Sequence, residues 1–186
     1  MRILFFFLLV ISIQAAHGQV PDRIYKENIR SVKLYKTGDI YSYPVITINS
    51  NEQLELHFDD MDGDFKYYYY SFQLCNADWT PANVQTFDYI RGFQSNRITN
   101  YRNSNTVQTK YTHYQAFLPE RNSTPTKGGN YLLKVFLNDD TSKLAFTKRC
   151  LVINPKTTVS AQVLQPFNGS AGGRSSAPGL FPGTRA

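Results

Sequence analysis

Gln53-Leu54-Glu55-Leu56-His57-Phe58 alternates apolar and polar side chains without a break, and the same period of two recurs along most of the chain. No other feature constrains the fold as much. A strand places successive side chains on opposite faces, whereas a helix needs its apolar residues three and four apart. Ile29-Arg30-Ser31-Val32-Lys33-Leu34-Tyr35 alternates and stops at Thr37-Gly38-Asp39; Tyr43 to Ile48 resumes the pattern, and Asn49-Ser50-Asn51 turns the chain again. Phe65 to Cys75 is the longest aromatic strand, and with residues 53–58 it reads as a hairpin across the Asp59–Asp64 cluster. Lys110 to Leu118, Tyr131 to Leu137 and Leu144 to Ile153 complete the series, the last two joined by the loop Asn138-Asp139-Asp140-Thr141-Ser142.

Seven to eight short strands with no helices between them predict an all-β domain, an antiparallel Ig-like or fibronectin-like Greek-key sandwich rather than parallel βαβ units. Tyr131 follows the Gly128-Gly129 corner at the start of a late strand. Two readings fit it: a hydroxyl bonded back to the preceding loop, as in many such sandwiches, or a half-buried aromatic. In Tyr67-Tyr68-Tyr69-Tyr70 the alternation sends one pair to the core and one to the surface.

The two ends differ from this middle. Met1-Arg2 followed by the apolar run Ile3–Ile13, with Ala16 and Gly18 at the −3 and −1 positions, reads as a signal peptide over residues 1–18. Cleavage there leaves 168 residues and removes Arg2 but no acid, taking the net charge from +6 to +5. The expected organisation is then a sandwich domain over 19–155, the start of a linker or second domain over 156–167 with strand-like Thr158–Leu164, and a disordered or aberrant Gly, Ser, Pro and Arg-rich tail over 168–186. Lys and Arg are scattered rather than blocked, which removes the usual support for nucleic-acid binding.

Cys75 and Cys150 both lie in strand-like segments; a disulfide and two buried thiols are both compatible with an exported chain. Asp59-Asp60-Met61-Asp62-Gly63-Asp64 could offer carboxylates to Ca²⁺, but an EF-hand loop counted from Asp60 would need Gly where Phe65 stands and Glu where Ser71 stands. His57 and His113 sit within strands with no zinc spacing, and no Gly-x-Ser-x-Gly turn or phosphate loop occurs. The sequence therefore assigns no catalytic residue, no cofactor, no metal ligand and no small-molecule substrate. What it offers instead is an irregular passage over 76–106 rich in Trp, Tyr, Phe and Arg, the residue types that anchor protein interfaces. Trp79, Tyr89, Arg91, Phe93 and Arg97 are the candidate partner contacts.

Ile24–Val32, Leu54–Asp60, Phe72-Gln73-Leu74-Cys75-Asn76-Ala77-Asp78-Trp79 and Asn130–Phe136, in this order and spacing, resemble the N-terminal domain of type IX secretion system plug proteins of Bacteroidetes. The likeness runs from about Ile24 to Phe167, and the family's members continue into further β-rich domains. It implies a periplasmic, non-enzymatic protein that binds the inner mouth of the outer-membrane translocon barrel and seals its pore, with no membrane span of its own. The alternative from a different class is a carbohydrate-binding or accessory sandwich module of a secreted protein.

Overall fold

The computed structural model describes residues 22–104 and 108–156. The expected signal segment, the strand-like Thr158–Leu164 and the tail 168–186 lie outside them. Twelve strands run in chain order: β1 (Arg23–Ile24), β2 (Ile29–Lys36), β3 (Val45–Thr47), β4 (Leu54–Asp60), β5 (Tyr68–Cys75), β6 (Ile90–Gly92), β7 (Asn96–Arg97), β8 (Asn100–Asn103), β9 (Thr112–Leu118), β10 (Ser123–Pro125), β11 (Gly129–Leu137) and β12 (Leu144–Ile153), with a short 3₁₀ turn at Thr86–Asp88. Seven of them (β2, β4, β5, β8, β9, β11, β12) have four residues or more, and these carry the sandwich.

Of the two large sheets, one has the order β2-β4-β9-β8 and the other β1-β12-β11-β5-β7, with β3 added in parallel to β12, while β10 and β6 form a separate two-stranded ribbon. Lettered A to G in chain order, the seven longer strands give sheets A-B-E-D and C-F-G, the arrangement of an immunoglobulin-type Greek key. The fold class read from the alternation is the one observed. The hairpin expected across Asp59–Asp64 is not: β4 pairs with β2 and β9, while β5 pairs with β11 and β7. That loop is a crossover between sheets, because the apolar faces of β4 and β5 must meet across the core rather than lie side by side. By contrast, β11 and β12 do form an antiparallel hairpin.

Alternation explains the core directly. Leu54, Leu56 and Phe58 point inward from β4, Tyr114 and Leu118 from β9, Tyr68, Tyr70 and Phe72 from β5, and Leu133 and Val135 from β11. Phe58 is the centre of the contact between sheets: its ring lies 5.0 Å from those of Tyr68, Tyr114 and Phe146. Each such pair adds about 0.5–1.5 kcal/mol to the area it buries. Tyr68 and Tyr70 are buried while Tyr67 is half exposed, which is the division the period of two predicted. Tyr131 is fully buried and donates its hydroxyl to the Lys127 carbonyl at 2.8 Å, the first of the two readings above.

Both cysteines are free thiols. Cys75 on β5 and Cys150 on β12 flank β11, opposite Asn130 and Tyr131 respectively. Two strand spacings separate them, about 9.5 Å, more than a disulfide spans.

Candidate interaction surface

Strand β5 ends at Cys75, and the next residues fold into a tight turn. Asp78 accepts from the Thr80 N–H at 3.0 Å and the Thr80 hydroxyl at 2.6 Å, and those bonds hold its carboxyl below the usual carboxylate range. The Asn76 N–H donates to the Thr80 carbonyl, and the Trp79 N–H to that of Asn76. Within this frame Trp79 takes φ 66°, a left-handed conformation costly for a bulky residue and maintained only because its surroundings fix it. Its ring lies under the Arg149 guanidinium, 4.7 Å away, beside an apolar groove of about 430 Å³ lined also by Tyr43, Pro44, Val45 and Leu151.

The rest of the irregular passage covers another part of the sandwich. Tyr89 is only 4% exposed and packs edge-on to Tyr131, so it belongs to the core and offers nothing to a partner. A Tyr outside a regular strand carries no sequence signal of which way it faces; the long strand β11 decided it. Arg91 of β6 is the register partner of Thr124 of β10, and Phe93, two residues on, is 65% exposed. This close approach depends on Gly92, whose φ of 99° and proximity to the Asn122 carbonyl leave no room for a Cβ. Arg97 on β7 stacks over Tyr67 at 4.1 Å and Phe65 at 5.7 Å, and Phe65 in turn lies 4.5 Å from Tyr101 on β8. Phe65, Tyr67 and Tyr101 were missed as partner contacts because they fall in or beside strands, where alternation alone does not distinguish solvent from a partner.

The five candidates therefore do not form one patch. Arg97 faces the Tyr69 end of β5 and Trp79 follows its Cys75 end, about 20 Å apart along a strand rising ~3.3 Å per residue. What the fold brings together is an arginine–aromatic flank made of Arg97, Tyr67, Phe65 and Tyr101, where the chain passes from β7 in one sheet to β8 in the other. Arg91, Arg97, Arg102 and Arg149 make no ion pair with a carboxylate among the described residues; the pairs there belong to lysines and histidines.

The acidic cluster has its own cation. The Lys66 ammonium lies 2.9 Å from Asp60 and 3.2 Å from Asp64, with Asp62 also bound, so it occupies the space between the three carboxylates that a metal would need. The thiols are poor nucleophiles: burial pushes both up, and the Cys150 sulfur is directed at the Tyr131 carbonyl. His57 and His113, far apart in sequence, meet side by side on the outer face of the β2-β4-β9-β8 sheet.

Residues 29–154 match the family model described as the type 9 secretion system plug protein 1st domain. The crystal structure of a hypothetical protein from Parabacteroides merdae ATCC 43184 superposes with a TM-score of 0.68 at 29% identity, covering 72% of this chain and 34% of that one. The chain thus spans about a third of that protein's length. An alkylpurine DNA glycosylase, AlkC, from Pseudomonas fluorescens, bound to DNA containing an abasic site analog, aligns with a TM-score of 0.33 and 9% identity over 65% of this chain and 30% of its own, too distant to carry an argument. No curated protein matches.

Proposed function

Since the chain belongs to the family of the first domain of type 9 secretion system plug proteins, we propose that it docks from the periplasm onto the inner mouth of an outer-membrane translocon barrel and helps to seal the pore. The family match over residues 29–154 carries this reading. No helix among the described residues is long and apolar enough to cross a membrane. The physical requirements of such a role are modest. A stopper needs a rigid body and an interface of roughly 1,200–2,000 Å² that can still be released. The Phe58-centred core gives the first. For the second we assign the flank of Arg97, Tyr67, Phe65 and Tyr101 together with Arg91 and Phe93, and Trp79 as a separate contact. Arginines without carboxylate partners, stacked on half-exposed aromatics, suit an interface with an acidic and aromatic surface.

Affinity purification of the tagged full chain from its native cell tests this. Recovery of a large outer-membrane barrel protein is the expected result, reduced by Arg97→Ala with Tyr67→Ala. Retention on a glycan affinity gel with no barrel recovered would replace the proposal by a carbohydrate-binding role.

A further inference from the structure

On the outer face of β4 and β9, four side chains form an unbroken chain. Asp59 Oδ1 lies 2.6 Å from His113 Nδ1, His113 Nε2 lies 3.0 Å from His57 Nδ1, and His57 Nε2 lies 2.8 Å from Glu55 Oε1. The register produces it: Asp59 sits opposite His113 and His57 opposite Gln115, so the two imidazoles meet on the diagonal.

With both carboxylates ionised, proton counting picks out the one state in which all three contacts are hydrogen bonds. A carboxylate only accepts, so both outer ring nitrogens must carry hydrogen. The inner contact is a hydrogen bond only if one of its two nitrogens also carries hydrogen and the other does not. Three N–H hydrogens on two rings mean one imidazole and one imidazolium. We propose that β4 and β9 hold a single exchangeable proton between His57 Nδ1 and His113 Nε2, which makes the outer face of this sheet a pH-responsive surface.

Geometry favours a proton over a metal ion. The ring centroids are 5.2 Å apart while the nitrogens are 3.0 Å apart, so the remainder is about two ring radii and the lone pairs point at each other. An ion on that line would need the nitrogens about 4 Å apart at metal–nitrogen distances of about 2 Å. The surroundings are polar and fixed. From β2, the Tyr35 ring stacks on His57 at 5.7 Å, Lys33 is the register partner of His57, and Arg30, opposite Asp59, turns its guanidinium to the Glu27 and Ile29 carbonyls. From β9 and β8, Gln115 donates to Glu55 at 2.7 Å and receives from Asn100 at 3.1 Å, while Arg102 is the register partner of His113. Burial raises the Tyr35 hydroxyl, and the neighbouring Glu55 carboxylate adds to the effect.

The consequence is a surface whose charge and order change together. With no proton between the rings, two lone pairs face each other; with two, two N–H groups do. Either state breaks the contact, and the tetrad passes from two net negative charges through one to none as protons bind. Imidazole is the side chain that responds between pH 5 and 8. This inference does not depend on the docking partner.

Nitrogen-15 NMR of the imidazoles in the full chain, titrated from pH 8 to pH 5, tests it. The expected result is uptake in two separate steps, with both rings shifting in the first and a through-bond coupling between the two inner nitrogens in the one-proton state. His113→Gln should leave His57 with one simple step. Two simultaneous, independent titrations in the unmodified protein, or no coupling at any pH, would overturn the proposal. A local thermal-stability maximum between pH 5 and pH 8 that His57→Gln and His113→Gln both abolish is the second expected readout; the same local maximum in both variants would count against it.

Discussion

The ammonium of Lys66 and the buried carboxylate of Asp60 lie 2.9 Å apart and tie the crossover between sheets to the end of β4. Asp60 also receives hydrogen bonds from Asn28 at 2.6 Å, the Tyr68 hydroxyl at 2.9 Å and the Asp62 N–H at 3.1 Å, so a fully buried charge is fully satisfied.

Removing one member of this group leaves the other stranded. Lys66→Met is expected to cost about 3 kcal/mol, the lower end of the range for breaking a buried pair, because Lys66 itself keeps some access to solvent. A urea midpoint shift at unchanged slope is the measurement; a loss below the error of the titration would show that the pair contributes nothing.

The same group sets an acid limit. Burial pushes the Asp60 carboxyl up, but the bonds from Lys66, Asn28, the Asp62 N–H and Tyr68 together hold it below the usual value. A depressed folded value gives stability that is complete above the unfolded value of about 4 and is lost as pH falls through the folded one. Stability plotted against pH should therefore fall more steeply below pH 4 in the unmodified protein than in Asp60→Asn.

Tyr131→Phe removes the hydroxyl that holds the Lys127 corner and changes little else. The expected loss is about 1 kcal/mol, read from thermal or denaturant unfolding. Lysine at position 127 contributes only its carbonyl, so Lys127→Ala should be neutral.

At the flank, stability and binding should separate. Phe93→Ala and Arg97→Ala alter exposed side chains and are expected to leave the unfolding midpoint nearly unchanged, while capture of the barrel by Arg97→Ala weakens by about an order of magnitude. Gly92→Ala should do the opposite first, destabilising the β6–β10 contact through collision with the Asn122 carbonyl.

Thiol titration of the unfolded, unreduced protein should find two reactive groups, since β11 lies between Cys75 and Cys150. In the folded protein both should react slowly, being buried with raised thiols.

The period of two was enough to read six of the seven longer strands, the inward residues of β4 and β5 and the sandwich class, because burial of one face is a local property written in every second residue; β8 (Asn100–Asn103), all four residues exposed, fell in the passage read as irregular because it has no buried face to mark it. Tyr131 could be read as a corner from its place after Gly128-Gly129, though only the position of the Lys127 carbonyl decided between its two readings. Pairing was not local. Whether Asp59–Asp64 turns a hairpin or crosses between sheets depends on which partners β4 and β5 find, and those lie up to 69 residues away, as Leu54 opposite Leu118 and Tyr68 opposite Leu137 illustrate. The same limit hid the inward turn of Tyr89, the cation that Lys66 places among the aspartates and the meeting of His57 with His113. Composition and alternation determined what kind of body this chain makes; register and sheet crossing, set by long-range packing, decided which of its polar groups share a site.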